Sequence, residues 1–209
     1  MRFLSLRRLM VVLHLLVFSL MVGVSVHGAG IENIARNGDF EEGIVEWELR
    51  QSGDSVGEIR EDNIEAINGD LCVFIDIASV AGTSAWHMAL FQDGHTIEQD
   101  KVYTLAVWLK GEEPRPVTLY AEEQAAPWTG HGRTDFEITQ EWQEYWITFT
   151  APITFAVWLR VTLGLSDVNL WADNVRFYEG AYVEDAGTVS AINPAGRLLT
   201  TWAGIRLSY

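Results

Sequence analysis

The chain has 209 residues, 48% of them hydrophobic, with nine Trp, eighteen Gly and a formal net charge of −15. That length suits one domain of ordinary size with appendages, and the lack of low-complexity runs argues for a globular chain. Acids outnumber cations so heavily that nucleic acid and anionic membranes are excluded as partners, because phosphate binding needs clustered Lys and Arg; neutral ligands and divalent cations remain compatible.

Residues 1–29 read as a signal peptide. Arg2, Arg7 and Arg8 form a basic start, Leu9 to Val24 is nearly continuous apolar sequence, and "SVHGAG" offers small residues for cleavage after Gly28 or Ala29. The apolar run is about 16 residues, near the lower limit for a membrane span, so a retained anchor is the alternative to a secreted or extracytoplasmic product. No Cys follows the run, so a lipoprotein signal is not indicated. Cleavage would take the charge to about −18, since three Arg and no acids leave. Cys72 is the sole cysteine, so no internal disulfide can form, and a buried inert thiol is expected.

Short alternating runs then follow, separated by Gly, Pro, Asn and Asp. They predict strands near 34–40, 56–60, 71–77, 86–92, 103–109, 117–122, 134–139, 145–150, 155–163 and 168–178. No mature stretch shows a convincing helical period. About ten closely spaced strands predict an all-β fold, an antiparallel β-sandwich or jelly roll spanning 30–180. Residues 181–209 end apolar and mildly basic and read as a tail.

Three stretches carry a family likeness: "ARNGDFEEGIVEW", "SAWHMALFQDGHTIEQDKVYTLAVWLKG" and "WADNVRFYE". In that order and spacing the chain resembles secreted carbohydrate-binding modules of families 4, 9, 16 and 22, which share a galactose-binding-like β-sandwich. The likeness covers about residues 33 to 179. It implies a non-catalytic module that grips a polysaccharide or oligosaccharide in a groove across one sheet, with a structural calcium elsewhere. Such modules are often fused to glycoside hydrolases, so a partner hydrolase or a surface complex is implied here. By resemblance Arg50 lines the cleft. Asp39, Glu41 and Asp173 occupy metal-site positions, Glu41 and Asp173 through side chains and Asp39 through its carbonyl. Calcium does favour six to eight oxygens on irregular backbone; the alternative is that Asn37-Gly38 form a turn and the acids are solvated. Where some relatives carry a second Cys, this chain has Trp171.

Alternation supports a binding role from the residues alone. In "TFAVWLRVTLG" the apolar set Phe155, Val157, Leu159, Val161 and Leu163 leaves Trp158 and Arg160 on the polar face with Thr162. The same parity turns Tyr120, Trp108, Trp146 and Trp171 outward on their strands. If successive strands alternate between sheets, Tyr120 and Trp158 share one sheet with strand 86–92, while Trp108, Trp146 and Trp171 share the other. The first group has the polar company a sugar needs: Arg160, Thr162, Gln92 and the loop bearing Trp128. Flat aromatics take the C–H face of a sugar ring and polar groups take its hydroxyl rim. Two or three such platforms suggest about −4 to −6 kcal/mol, a Kd of roughly millimolar to tens of micromolar. The second group is better explained as satellite core. The tail could cover it, through Leu198, Leu199, Trp202 and Ile205.

Two other readings compete. A cell-surface structural or adhesion sandwich could use this fold without binding glycan. A jelly-roll polysaccharide lyase would need His87 or His131 with Tyr120 and Arg160 as base, acid and charge neutraliser. No G-x-S-x-G, H-E-x-x-H, P-loop or dinucleotide fingerprint occurs, and no catalytic residues are assigned.

Overall fold

A computed structural model describes residues 31–185. The expected signal peptide and the proposed docking of the tail residues 198–205 lie outside the described residues. Ten strands run in chain order: β1 (Glu48–Gln51), β2 (Val56–Asp62), β3 (Cys72–Ser79), β4 (Met88–Ile97), β5 (Val102–Gly111), β6 (Arg115–Glu123), β7 (Gly130–Ile138), β8 (Gln143–Thr150), β9 (Phe155–Thr162) and β10 (Leu170–Glu179). They pair antiparallel into two five-stranded sheets, ordered β1-β4-β9-β6-β7 and β2-β3-β10-β5-β8. The expected β-sandwich is the architecture observed. The rest of the described residues are turn and loop, apart from a three-residue 3-10 turn at Ala85–His87.

Side-chain period makes the layers. Along β9, Val157, Leu159 and Val161 are buried while Trp158 and Arg160 face outward. Leu90, Leu119 and Leu159 from the first sheet join the same core as Ile75, Leu105, Leu109 and Ile147 from the second. Cys72 is buried and free, and burial pushes its thiol up out of the reactive range.

Two elements depart from the sequence reading. Residues 34–40 are not a strand but enter a knot of turns. Asn37, at φ 44°, donates its amide to the carbonyls of Gly43 and Val45, and its own carbonyl accepts the Trp47 indole N–H. Those local bonds outcompete a ladder. The segment still touches β10, with Val175 N–H donating to Gly38 O at 2.7 Å. A Cβ on Gly38 would stand 2.0 Å from Val175 O, so the approach requires glycine. The second departure is β1, "ELRQ", a short edge strand with no apolar alternation to announce it.

Candidate functional site

The outward face of the first sheet is built in rows across its strands. Tyr120 on β6, Arg160 on β9 and Phe91 on β4 are in register. The row on one side pairs Glu122 with Trp158; the row on the other sets Thr118, Thr162, Ala89 and Arg50 side by side. The Phe91 and Trp158 rings meet edge-on at 5.6 Å. The Arg160 guanidinium carbon lies 5.0 Å from the Trp158 centroid, and that of Arg50 lies 3.4 Å over Phe91 and 5.1 Å from Trp158. Arg160 Nη1 donates to the Tyr120 hydroxyl at 3.1 Å and sits 2.7 Å from Glu122.

That ion pair is close but poorly directed. Glu122 Oε2 and Arg160 Nε, both buried, have no hydrogen-bond partner among the described residues. Burial pushes the Glu122 carboxyl above its ordinary value, with Arg160 and Arg50 opposing. Buried polar atoms left unsatisfied are rare in folded proteins and gather at sites where something else supplies the bond.

Tyr120 leads into an open depression of about 360 Å³ lined by Thr83, Ser84, Ala85, Trp86, Tyr120, Arg133 and Leu165. Trp86 is 53% exposed on the 3-10 turn. Gly130 lets β7 approach the Tyr120 ring, since a Cβ there would stand 3.0 Å from it. Phe91, Trp86, Glu122 and Arg133 were not singled out from the sequence. Trp86 sits in a turn before its strand begins, where period-2 alternation carries no information.

Two expected ligands are engaged inside the protein, and a third stands out on a loop. Gln92 shares the parity of Leu90, so it points away from the groove and is 1% exposed. Its amide donates to Arg36 O, and its oxygen accepts Arg36 N–H and the His95 ring N–H. A β-bulge between Gln92 and His95 seats this cluster. Thr162 is buried and donates to Thr118 O. Trp128 is 57% exposed at the tip of the β6–β7 loop. The lyase constellation is not assembled. His131 lies opposite Ala121, not Tyr120, pairs with Glu123 at 2.9 Å and packs between Phe149 and Phe155. His87 bonds Thr83 and meets the edge of Trp86.

At one end of the sandwich two carboxylates grip the loop 67–71. Glu41 Oε1 accepts the N–H groups of Asp70 and Leu71, and Asp173 Oδ2 accepts those of Ile67 and Asn68. Asp173 is fully buried, and burial pushes its carboxyl up to about 7, the Glu41 charge adding to the effect. A neighbouring depression of about 360 Å³ is lined by Asn33, Asn37, Asp39, Asn68 and Asn174 among others. Among the described residues no three His, Cys, Asp or Glu side chains gather as a metal cluster.

The outward face of the second sheet carries Trp108, Trp146 and Trp171, as parity predicts. Trp171 packs on Phe74 at 4.8 Å and donates to Asp62. Tyr182, just beyond β10, stacks on Trp146 at 3.9 Å and 11°.

Two antiparallel sheets, one with half-buried Trp158 beside buried Phe91 and Tyr120 on its outer face, define a β-sandwich module. The chain belongs to the family described as "Carbohydrate binding domain" (CBM_4_9), whose model matches residues 32–172. Among solved structures it is similar to one described as "CBM4 structure and function", at 25% identity and TM-score 0.60, covering 70% of this chain and 99% of that one. Its fold is also shared with the Stig cyclase Fisc of Fischerella sp. TAU, at 12% identity and TM-score 0.54, covering 71% and 96%. A further match is to tailspike protein 4 of bacteriophage CBA120, at 16% and 0.53, covering 71% of this chain and 21% of that one. The cyclase shows that this architecture alone does not fix an activity. No curated protein matches the chain.

Proposed function

We propose that the protein is a non-catalytic, extracytoplasmic module that holds a neutral polysaccharide or oligosaccharide against the outward face of the sheet β1-β4-β9-β6-β7. The observation that carries this reading is the line of Phe91, Trp158, Arg160 and Tyr120 running into the depression beside Trp86. Trp158 and Trp86 offer ring faces for sugar C–H surfaces, while Arg50, Arg160, Glu122 and Arg133 face the hydroxyl rim. A ligand hydroxyl could donate to Glu122 Oε2, and another could accept from Arg160 Nε, satisfying two of the three buried side-chain atoms without a hydrogen-bond partner among the described residues. Trp128 would border the groove from its loop.

Calorimetric titration with β-1,4-linked gluco-, xylo- and manno-oligosaccharides tests the reading. A Kd between about millimolar and tens of micromolar is expected for one series. Trp158→Ala and Trp86→Ala should each weaken it about tenfold, as losing one stacked ring implies. Unchanged affinity in both variants would remove the reading.

We further propose a structural calcium at the end where Glu41 and Asp173 grip the loop 67–71. The carboxylates and the amide-rich lining are hard oxygen donors of the kind this ion prefers. Glu41 and Asp173 would hold it, with Asp39 contributing its carbonyl. The bound ion would stabilise the ionised Asp173 carboxylate, which burial otherwise disfavours. Chelator is therefore expected to lower the melting temperature, and added calcium to restore it. A melt indifferent to both would count against the ion.

A further inference from the structure

The opposite face of the sandwich holds a second cleft, of about 580 Å³, lined by Trp108, Trp142, Trp146, Gln143, Glu144 and the post-β10 residues Tyr182, Glu184 and Asp185. Its size is that of a small-ligand site. Its donors are largely spent within the protein. The Trp108 indole N–H faces Asp185 at 3.3 Å, the Trp142 N–H donates to Glu65 O at 2.9 Å, and the Tyr182 hydroxyl donates to Glu144 Oε2 at 2.7 Å. What remains is π surface, with Trp146 still 43% exposed beside its stacked Tyr182, the Gln143 amide, and carboxylate oxygen. Arg176 offsets Glu144. Asp185 accepts the Asn174 amide and the Trp108 N–H but meets no cation, and Glu184 is exposed with no hydrogen bond or ion pair among the described residues. Among the described residues no Lys or Arg lines the cleft.

Aromatic faces with unoffset carboxylates attract an organic cation rich in donors. A neutral sugar would use the faces but leave the charge unanswered. A glucosamine unit satisfies both requirements: an apolar pyranose face for the rings and an ammonium for Glu184 and Asp185. We infer that this cleft is a second binding site, independent of the groove, for amino-sugar units bearing a free ammonium.

The full chain would be titrated with a glucosamine tetramer at mildly acidic pH, where its amines are protonated, and in parallel with the fully N-acetylated tetramer. Binding of the first and not the second is expected. It should weaken about tenfold in Trp146→Ala and in the surface variant Glu184→Gln. Glu58→Gln, on the far edge strand β2, should leave it unchanged, as should Trp158→Ala, which reports on the groove. Equal binding of both tetramers, indifference to Glu184→Gln, or loss in Trp158→Ala would each overturn the assignment. So would binding of oligolysine in place of the glucosamine tetramer. Because the groove is read with neutral sugars and the cleft with amines, either can fail without the other.

Discussion

Gln92 has the amide that a sugar rim would call for, yet its side chain ends up inside the protein. The alternation that exposes Trp158 was legible because β9 is short, regular and apolar on one face. Along β4 the sequence "ALFQDGH" hides a bulge, and Gln92 becomes the hub that ties Arg36 to His95. His95 is 4% exposed; burial, helped by Arg36, pushes its pKa down to about 4. The unfolded chain binds that proton near pH 6.5 and the folded one near 4, so stability falls as pH drops through this window. The loss should approach an order of 3 kcal/mol by pH 4. Comparing urea midpoints of the native chain and His95→Gln against pH checks this; parallel curves would show that the ring does not resist protonation. Trp86 was illegible for a different reason. A turn residue has no periodic partner, and only folding brings it beside Tyr120.

Elements were easier to read than their joints. Nine of the expected runs became strands because each carries its own alternating core face, whereas β1 and the knot at 37–47 are set by tertiary and side-chain-to-backbone bonds that composition does not announce. Arg115 shows the cost of such joints. It opens β6, is 1% exposed, and donates to the carbonyls of Leu163 and Val168, holding the β9–β10 connection. Desolvation lowers its pKa to about 10, still charged at neutral pH. Arg115→Met would fill much of the space but leave Val168 O without its donor and Leu163 O with only the Ser166 N–H at 3.5 Å. A destabilisation of about 2–4 kcal/mol is expected. Chemical denaturation would measure it, and a change under about 0.5 kcal/mol would mean the connection holds itself.

At the scale of the whole molecule, the two-sheet architecture and the outward turn of the aromatics followed from strand parity, because both depend on burial pattern rather than on contact detail; their division between the sheets rested on strand alternation, which β2-β3 and β6-β7 break. Sheet order did not follow, since hydrogen-bond partners distant in sequence leave no local trace. That order places β9 at the centre of one sheet and β10 at the centre of the other. Among the described residues, both follow the other eight strands in chain order. Until they arrive, each half-built layer is two separate ribbons, β1-β4 with β6-β7 and β2-β3 with β5-β8, whose inner edges stay unzipped and ready to pair with any passing strand. The other eight strands are thus made before either layer can close, and closure must wait for long-range pairing, which is slow. A chain stopped after β8 should therefore show no cooperative melt and should aggregate; a sharp transition in that fragment would mean that the keystones are dispensable.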